Sequence, residues 1–347
     1  MFSHIVVQRA LGGLTALLGA WLAVSIGIPL PWLLGPLFTV ALLRLFSAPI
    51  AAYRPLRNVG QWIIGVSLGL YFSPQITTLI FQHWLWLVLG MFMSLILAVI
   101  GTYLLVYLGR ADLKTAWFSS AIGGASEMSI LAERYGARVD LVASAHSLRV
   151  LAVVTIIPFG FEWAGFIGSD KSTLTQVQVD HSDLLIIGII ATIAGGIFRR
   201  FKVSSAWVLG PLCATAVLTV NELAITSIPD WVVNMGQLFI GWALGDRYRP
   251  AFFKAAPRFL SAVVVYSLLA IALVALVGAG VATQSSLTLP TLWLGLAPGG
   301  LAEMAITAKV LMLGVPMVTA FQVSRMAFVV MVTGWIYQHI LQPREKI

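Results

Sequence analysis

Ile122–Ile130 reads IGGASEMSI, and Pro298–Ile306 reads PGGLAEMAI, 176 positions further on. Each string breaks an apolar segment, Ala116–Tyr135 or Leu287–Leu313, with a pair of glycines. Each also carries an acid three residues past that pair, Glu127 or Glu303. Whether such a segment crosses a membrane or dips in and returns decides the topology of the whole chain. Three more pairs recur. WLLGPL (Trp32–Leu37) returns as WVLGPL (Trp207–Leu212) after 175 positions. NVGQWIIGVSLG (Asn58–Gly69) returns as NMGQLFIGWALG (Asn234–Gly245), and HSLR (His146–Arg149) as QVSR (Gln322–Arg325), both after 176. Four matches in one order at one offset mark two homologous halves. Shared hydrophobicity alone would not reproduce Asn, Gln, Glu and Arg.

The setting of these strings is apolar. Of 347 residues, 59% are hydrophobic and 10% charged, with a mean hydropathy of +0.95. A soluble domain carries about 25% charged residues, so lipid must solvate most of this surface. That excludes a soluble enzyme, a nucleic-acid-binding domain and a disordered chain. The single cysteine, Cys213, excludes an intramolecular disulfide. The net charge of +8 and pI near 9.9 fit basic cytoplasmic loops.

Five long apolar runs precede a polar stretch: Leu11–Ile28, Trp32–Phe46, Val59–Phe72, Leu79–Leu108 and Leu141–Phe161. Five follow it: Leu184–Phe198, Trp207–Val220, Trp231–Leu244, Leu260–Val281 and Val318–Ile340. The predicted division is a first membrane repeat over 1–165, a periplasmic linker over 166–183 and a second repeat over 184–347. Ala10–Ile28, preceded by Arg9, has the look of a signal peptide, but no convincing cleavage site follows and it reads as a retained first helix.

Charge chooses between the two topologies. If the Gly-Gly segments cross, each half has six spans, and the basic residues divide nine against ten with no bias. If they return to the side they came from, each half has five spans and the second half is inverted. Of the 21 Lys and Arg, only Lys171 and Lys309 then fall outside, Arg149 and Arg325 lie within helices, and the other seventeen are inside. The positive-inside rule favours this second arrangement. The expected fold is therefore all-α and polytopic. It has two inverted five-span repeats, each with a Gly-Gly re-entrant hairpin before its last helix, and both termini are cytoplasmic. Re-entrant backbone needs protein or a watery cavity to satisfy its polar groups. Two opposed tips should therefore meet near the midplane, where secondary transporters bind substrate.

The recurring polar residues are the candidate binding set. Glu127 and Glu303 sit in the positive first turn of a restarting helix; they read as a proton or cation site, or else as helix caps or partners of Arg149 and Arg325. Gly123, Gly124, Gly299 and Gly300 allow sharp turns and close approach of backbone amides to a ligand, or are turns only. Arg149 and Arg325 could hold a carboxylate or phosphate bidentately, or pair with the two glutamates and fix the hairpins. Asn58 with Gln61 and Asn234 with Gln237, one turn apart on equivalent helices, could coordinate a cation or hydrogen-bond between helices. Ser126, His146 and Gln322 belong to the same motifs and complete the set. Trp32 and Trp207 read as packing residues. The histidines at 4, 83, 146, 181 and 339 show no metal-ligand spacing. No Walker loop, dinucleotide fingerprint or Ser-His-Asp set is present. No enzyme activity, metal or cofactor is expected, and coupling would come from an ion gradient.

PGGLAEM (Pro298–Met304), its partner IGGASEM (Ile122–Met128) and HSLRVL (His146–Leu151) resemble the AbrB family of bacterial inner-membrane proteins, which is distinct from the small DNA-binding regulator of that name. The resemblance covers nearly the whole chain and implies a bacterial inner-membrane location. Names carried by members imply a regulator or an ammonia monooxygenase; the second would need a histidine cluster for copper that the sequence lacks. The inferred topology also resembles that of sodium-coupled glutamate and citrate symporters. That likeness implies an elevator-like mechanism and a homodimer. The expected function is secondary transport of a small polar or anionic solute, coupled to H+ or Na+, with the bilayer and the solute as partners and no nucleic acid. The alternative is a membrane-embedded, ligand-sensing regulator of gene expression that does not transport.

Overall fold

The computed structural model describes residues 2–166, 168, 179–223, 226–248, 250 and 256–342. All regular structure among them is helical. The first half runs α1 (Phe2–Ser25), α2 (Pro31–Leu45), α3 (Arg54–Gly69), α4 (Pro74–Gln82), α5 (Trp84–Tyr107), α6 (Leu113–Ser120), α7 (Ala125–Arg134) and α8 (Val139–Trp163). The second runs α9 (His181–Arg200), α10 (Ala206–Val220), α11 (Asp230–Gly245), α12 (Pro257–Ala282), α13 (Leu289–Leu296), α14 (Leu301–Val310) and α15 (Val315–Ile336), which continues into a π-helical turn, Tyr337–Leu341. Most of the predicted linker, 169–178, lies outside the described residues, as does Lys171.

Among the described residues, six helices, α1, α5, α8, α9, α12 and α15, are long and apolar enough to cross a membrane. By length and composition this is a multi-pass membrane protein. The other four expected spans are shorter: α2 and α10 have 15 residues, α3 and α11 have 16. A straight crossing takes about 20. The expected run Leu79–Leu108 is divided at His83, and α4 turns 88° away from α3. Pro74 at the head of α4 lacks the N–H that would let α3 continue into it.

The chain forms two compact units that cut across the sequence halves. One comprises Met1–Leu79, Glu162–Phe252 and Lys309–Pro316; the other comprises Ile80–Phe161, Phe253–Ala308 and Met317–Ile347. Each thus draws matching pieces from both repeats.

In the first unit α1 packs on α2 and α9 on α10, while α3 packs on α10 and α11 on α2. Glycine sets every one of these approaches. A Cβ at Gly65 would strike the Val208 carbonyl oxygen, and one at the matching Gly241 would strike that of Leu33. Gly60 of α3 faces Gly236 of α11, where a Cβ would meet the opposing carbonyl oxygens at 2.7 and 3.3 Å. Helices α2 and α10 both begin after a residue in left-handed conformation, Leu30 and Ser205, each with φ 49°, and both contain a proline, Pro36 and Pro211. Trp32 packs against the core around Ala16, Ala20 and Trp242, and Trp207 lies over Gly195. Both belong to helix seams. Arg44 pairs with Asp246 at 2.9 Å.

The second unit is built on α5, α8, α12 and α15. One core gathers Met93, Leu97, Tyr266, Ala270, Leu292 and Phe321; another gathers Trp117, Phe118, Met128, Val142 and Tyr337. Between the long helices run two broken ones. Helices α6 and α13 have 8 residues, α7 and α14 have 10, and a four-residue break separates the members of each pair.

Candidate functional site

The sequence candidates divide between the units. Asn58, Gln61, Asn234 and Gln237 fall in the first, around the Gly60–Gly236 crossing of α3 and α11. Gln237 is 3% exposed and its Oε1 accepts no hydrogen bond. The other eleven fall in the second unit, at the two helix breaks and on α8 and α15 beside them.

Each break starts in the same way. Helix α6 stops because Ala121 turns extended (φ −54°, ψ 130°), and α13 stops because Ala297 does the same (φ −54°, ψ 136°). An abrupt end orphans the last carbonyls of a helix, which also carry its negative dipole end. Arginines satisfy them. Arg149 Nη1 donates to the carbonyls of Ser119 (3.2 Å) and Ser120 (3.3 Å), and Nη2 to Ala121 (3.4 Å). Arg325 Nη1 donates to Leu296 (3.4 Å) and, in a very short contact, to Ala297; Nη2 reaches Gly299 at 3.0 Å. The expected ion pairs with Glu127 and Glu303 are not formed. Each guanidinium clasps a broken helix by its carbonyls. A planar fork suits diverging carbonyls as no ammonium does.

His146 and Gln322, one turn earlier, hold the arginines in place. Arg149 Nη2 lies 2.9 Å from His146 Nδ1, and His146 Nε2 lies 2.9 Å from the Phe118 carbonyl. Guanidinium only donates and a carbonyl only accepts. Nδ1 is therefore the acceptor and Nε2 carries the proton, which makes this imidazole neutral. Gln322 repeats the logic with an amide. Its Oε1 accepts from Arg325 Nη2 at 2.5 Å, and its Nε2 donates to the carbonyls of Leu294 (2.8 Å), Gly295 (3.2 Å) and Ala297 (3.2 Å). His146 and Gln322 can stand at matching positions because each turns an acceptor toward its arginine and a nitrogen donor toward the carbonyls of the broken helix.

The two arginines are 2% and 4% exposed. Their Nε atoms are buried with no acceptor. The structure adds residues that the repeated motifs do not contain. Tyr266 donates its hydroxyl to the Ser120 carbonyl at 2.8 Å, and Ser120 Oγ lies 2.8 Å from Thr102 Oγ1. Tyr266 escapes a repeat-based reading because the matching position, 176 residues earlier, is Gly90.

Each break resumes at its glycines. Helix α7 follows Gly124 and α14 follows Gly300, which puts Glu127 and Glu303 in the positive first turn. Both are half-buried. The Glu303 carboxylate folds back over Gly300, where a Cβ would overlap it; this is the reach of an acid at the third helical position toward its own cap. A Cβ at Gly123 would meet Met128 Cε at 2.8 Å, and one at Gly299 would meet Met304 Cγ at 2.9 Å. The glycines thus make room for the Met five positions on. Ser126 is exposed, with its side chain in none of these contacts.

A family model, described as transition state regulatory protein AbrB, matches residues 32–341, which takes in both broken helices and both arginines. The chain belongs to the AbrB family. It is similar to "Uncharacterized protein YhjN" of Bacillus subtilis (strain 168), at 26% identity over 94% of this chain and 92% of that protein. It is also similar to "Putative regulator AbrB" of Escherichia coli (strain K12), at 25% identity over 89% of each. AbrB-family membership thus extends over nearly the whole chain, and the relatives' names do not decide between transport and regulation.

Proposed function

We propose that this AbrB-family protein is a secondary transporter of a small polar or anionic solute, driven by a proton or sodium gradient across the bacterial inner membrane. The observation that carries the reading is the pair of matched broken helices within one compact unit. A break in an apolar segment frees backbone N–H and C=O groups that lipid cannot satisfy, so the break belongs beside protein or a polar cavity. Discontinuous helices in corresponding positions of two repeats are how transporters build a site at the membrane midplane. Arg149 and Arg325 neutralise the carbonyl ends, while the glycine ends, with Glu127 and Glu303, face the solute and the coupling ion.

On this reading the repeats, 1–165 and 184–347, are inverted and each Gly-Gly segment is re-entrant. The first segment offers support. The backbone N–H of Arg138, just past α7, donates to Thr115 Oγ1 at the start of α6 at 3.0 Å, so the segment ends beside where it began. The elevator mechanism is supported by the division of the chain, with both glycine turns in one unit.

The test is flux into liposomes under an imposed H+ or Na+ gradient, screening organic acids and amino acids. Once a substrate is found, Glu127→Gln and Glu303→Gln should uncouple it; an unchanged rate in both would remove the coupling role from the glutamates. Cysteines placed after Tyr135 and after Leu313, in a Cys213→Ser background, should be labelled from opposite sides. Labelling from one side would end the inverted reading. The name of the Escherichia coli relative favours a second reading, a ligand-sensing regulator. Recovery of a stoichiometric cytosolic partner, without flux, would select it.

A further inference from the structure

Away from the helix breaks, the second unit has an open cleft of about 170 Å³ lined by residues 109–112, Arg138, Leu141 and residues 256–259. Three arginines stand around it, Arg110, Arg138 and Arg258, all exposed. Two acids offset them in part: Asp112 accepts from the Thr115 backbone N–H at 3.2 Å, and Asp140 pairs with Arg138 at 3.2 Å. Arg258 spends Nε on the Leu108 carbonyl at 2.8 Å, which fixes its side chain while its two Nη groups stay available. Arg110 sits in left-handed conformation, φ 53°, an unusual state for a non-glycine residue.

Three helices, α6, α8 and α12, begin at this cleft. At α12 the cap residue is Ala256, whose side chain makes no cap bond, and the helix opens on Pro257, so the Arg258 and Phe259 amides are its first N–H donors. Two of the long spans, α5 and α12, end and start here. On the last turns of α5, the rings of Tyr103 and Tyr107 lie 4.3 Å apart, tilted 41° to one another, and are 62% and 63% exposed. Exposed tyrosines at the end of a span mark the headgroup level of a bilayer.

We propose that this cleft binds a phosphate ester, with the headgroup of an anionic phospholipid as its source. Arg110, Arg138 and Arg258 supply the charge-assisted donors, the amides heading α12 supply neutral ones, and the tyrosine pair puts the site at the depth where lipid phosphates lie. Basic pockets between helices on the cytoplasmic side are established lipid-headgroup sites. The charge-derived topology places all three arginines on that side.

The full chain, purified in neutral detergent, would be titrated with short-chain phosphatidylglycerol, with phosphatidylcholine, and with inorganic phosphate or glycerol phosphate, reading bound ligand by native mass spectrometry. Phosphatidylglycerol should bind in preference to phosphatidylcholine. Two variants should each weaken it about tenfold or more, the worth of one charge-assisted contact: Arg110→Gln, which removes a guanidinium, and Ala111→Phe, which fills the cleft and keeps every charge. Arg110→Lys should restore part of the loss. Equal binding of the soluble phosphates, lost in the same variants, would keep the phosphate site and overturn the lipid as its source. Phosphatidylglycerol binding unchanged in both Arg110→Gln and Ala111→Phe, or no preference over phosphatidylcholine, would overturn the site.

Discussion

The pairing of His146 with Gln322 makes a sharp prediction, because the repeat supplies its own substitution. His146→Gln should keep both functions of the imidazole, accepting from Arg149 and donating to Phe118. His146→Leu keeps the approximate volume and removes both. The leucine variant loses a 2.9 Å bond to a guanidinium and leaves the Phe118 carbonyl, also bonded at 2.9 Å, without that donor. His146 is 1% exposed, so water does not readily replace either partner. A bond to a charged group contributes about 1.5–3 kcal/mol, and an abandoned buried polar group costs about 1–3. Because Arg149 keeps its carbonyl partners, a net loss of about 2–4 kcal/mol is expected for His146→Leu and less than about 1 kcal/mol for His146→Gln. Reversible unfolding in detergent–SDS mixtures, followed by tryptophan fluorescence, measures both. If glutamine destabilised as much as leucine, the imidazole would be acting as more than a paired donor and acceptor. If leucine cost nothing, the clasp itself would be energetically idle.

Three further outcomes follow from the same geometry. Arg149→Lys and Arg325→Lys should each cost about 1–3 kcal/mol in that unfolding assay, since one ammonium cannot span three carbonyls as a fork does. Gly65→Ala and Gly241→Ala drive a methyl into backbone carbonyl oxygen and should cost about 1–3 kcal/mol or more, whereas Gly196→Ala, with open space around it, should be neutral or mildly stabilising. Gly300→Ala displaces only the end of the Glu303 side chain, so its effect should be small on stability and larger on gradient-driven flux, read in the liposome assay.

The architecture was legible where the two halves say the same thing twice. The helix ends 113, 120, 125 and 134 reappear at 289, 296, 301 and 310, the spacing that the glycine motifs announced. The glycine pairs did interrupt helices, and the acids did fall in a first turn. The arginines' partners were not legible. A sequence displays side-chain types, so a buried arginine reads as the partner of an anionic solute or of a glutamate; the partners in the structure are carbonyls, which become available only because Ala121 and Ala297 end their helices. Tyr266, Ser120 and Thr102 escaped because a search for recurrence passes over what one half alone possesses. The division into two compact units was equally hidden, since hydropathy along a chain carries no record of which helices meet.

The way α3 lies on α10 while α11 lies on α2 has a consequence for the fate of a severed chain. Each half donates its third helix to the other and borrows one in return, so neither polypeptide, made separately, would find the carbonyl seams into which Gly65 and Gly241 fit. Fragments cut at the midpoint should be degraded when expressed singly and persist when expressed together.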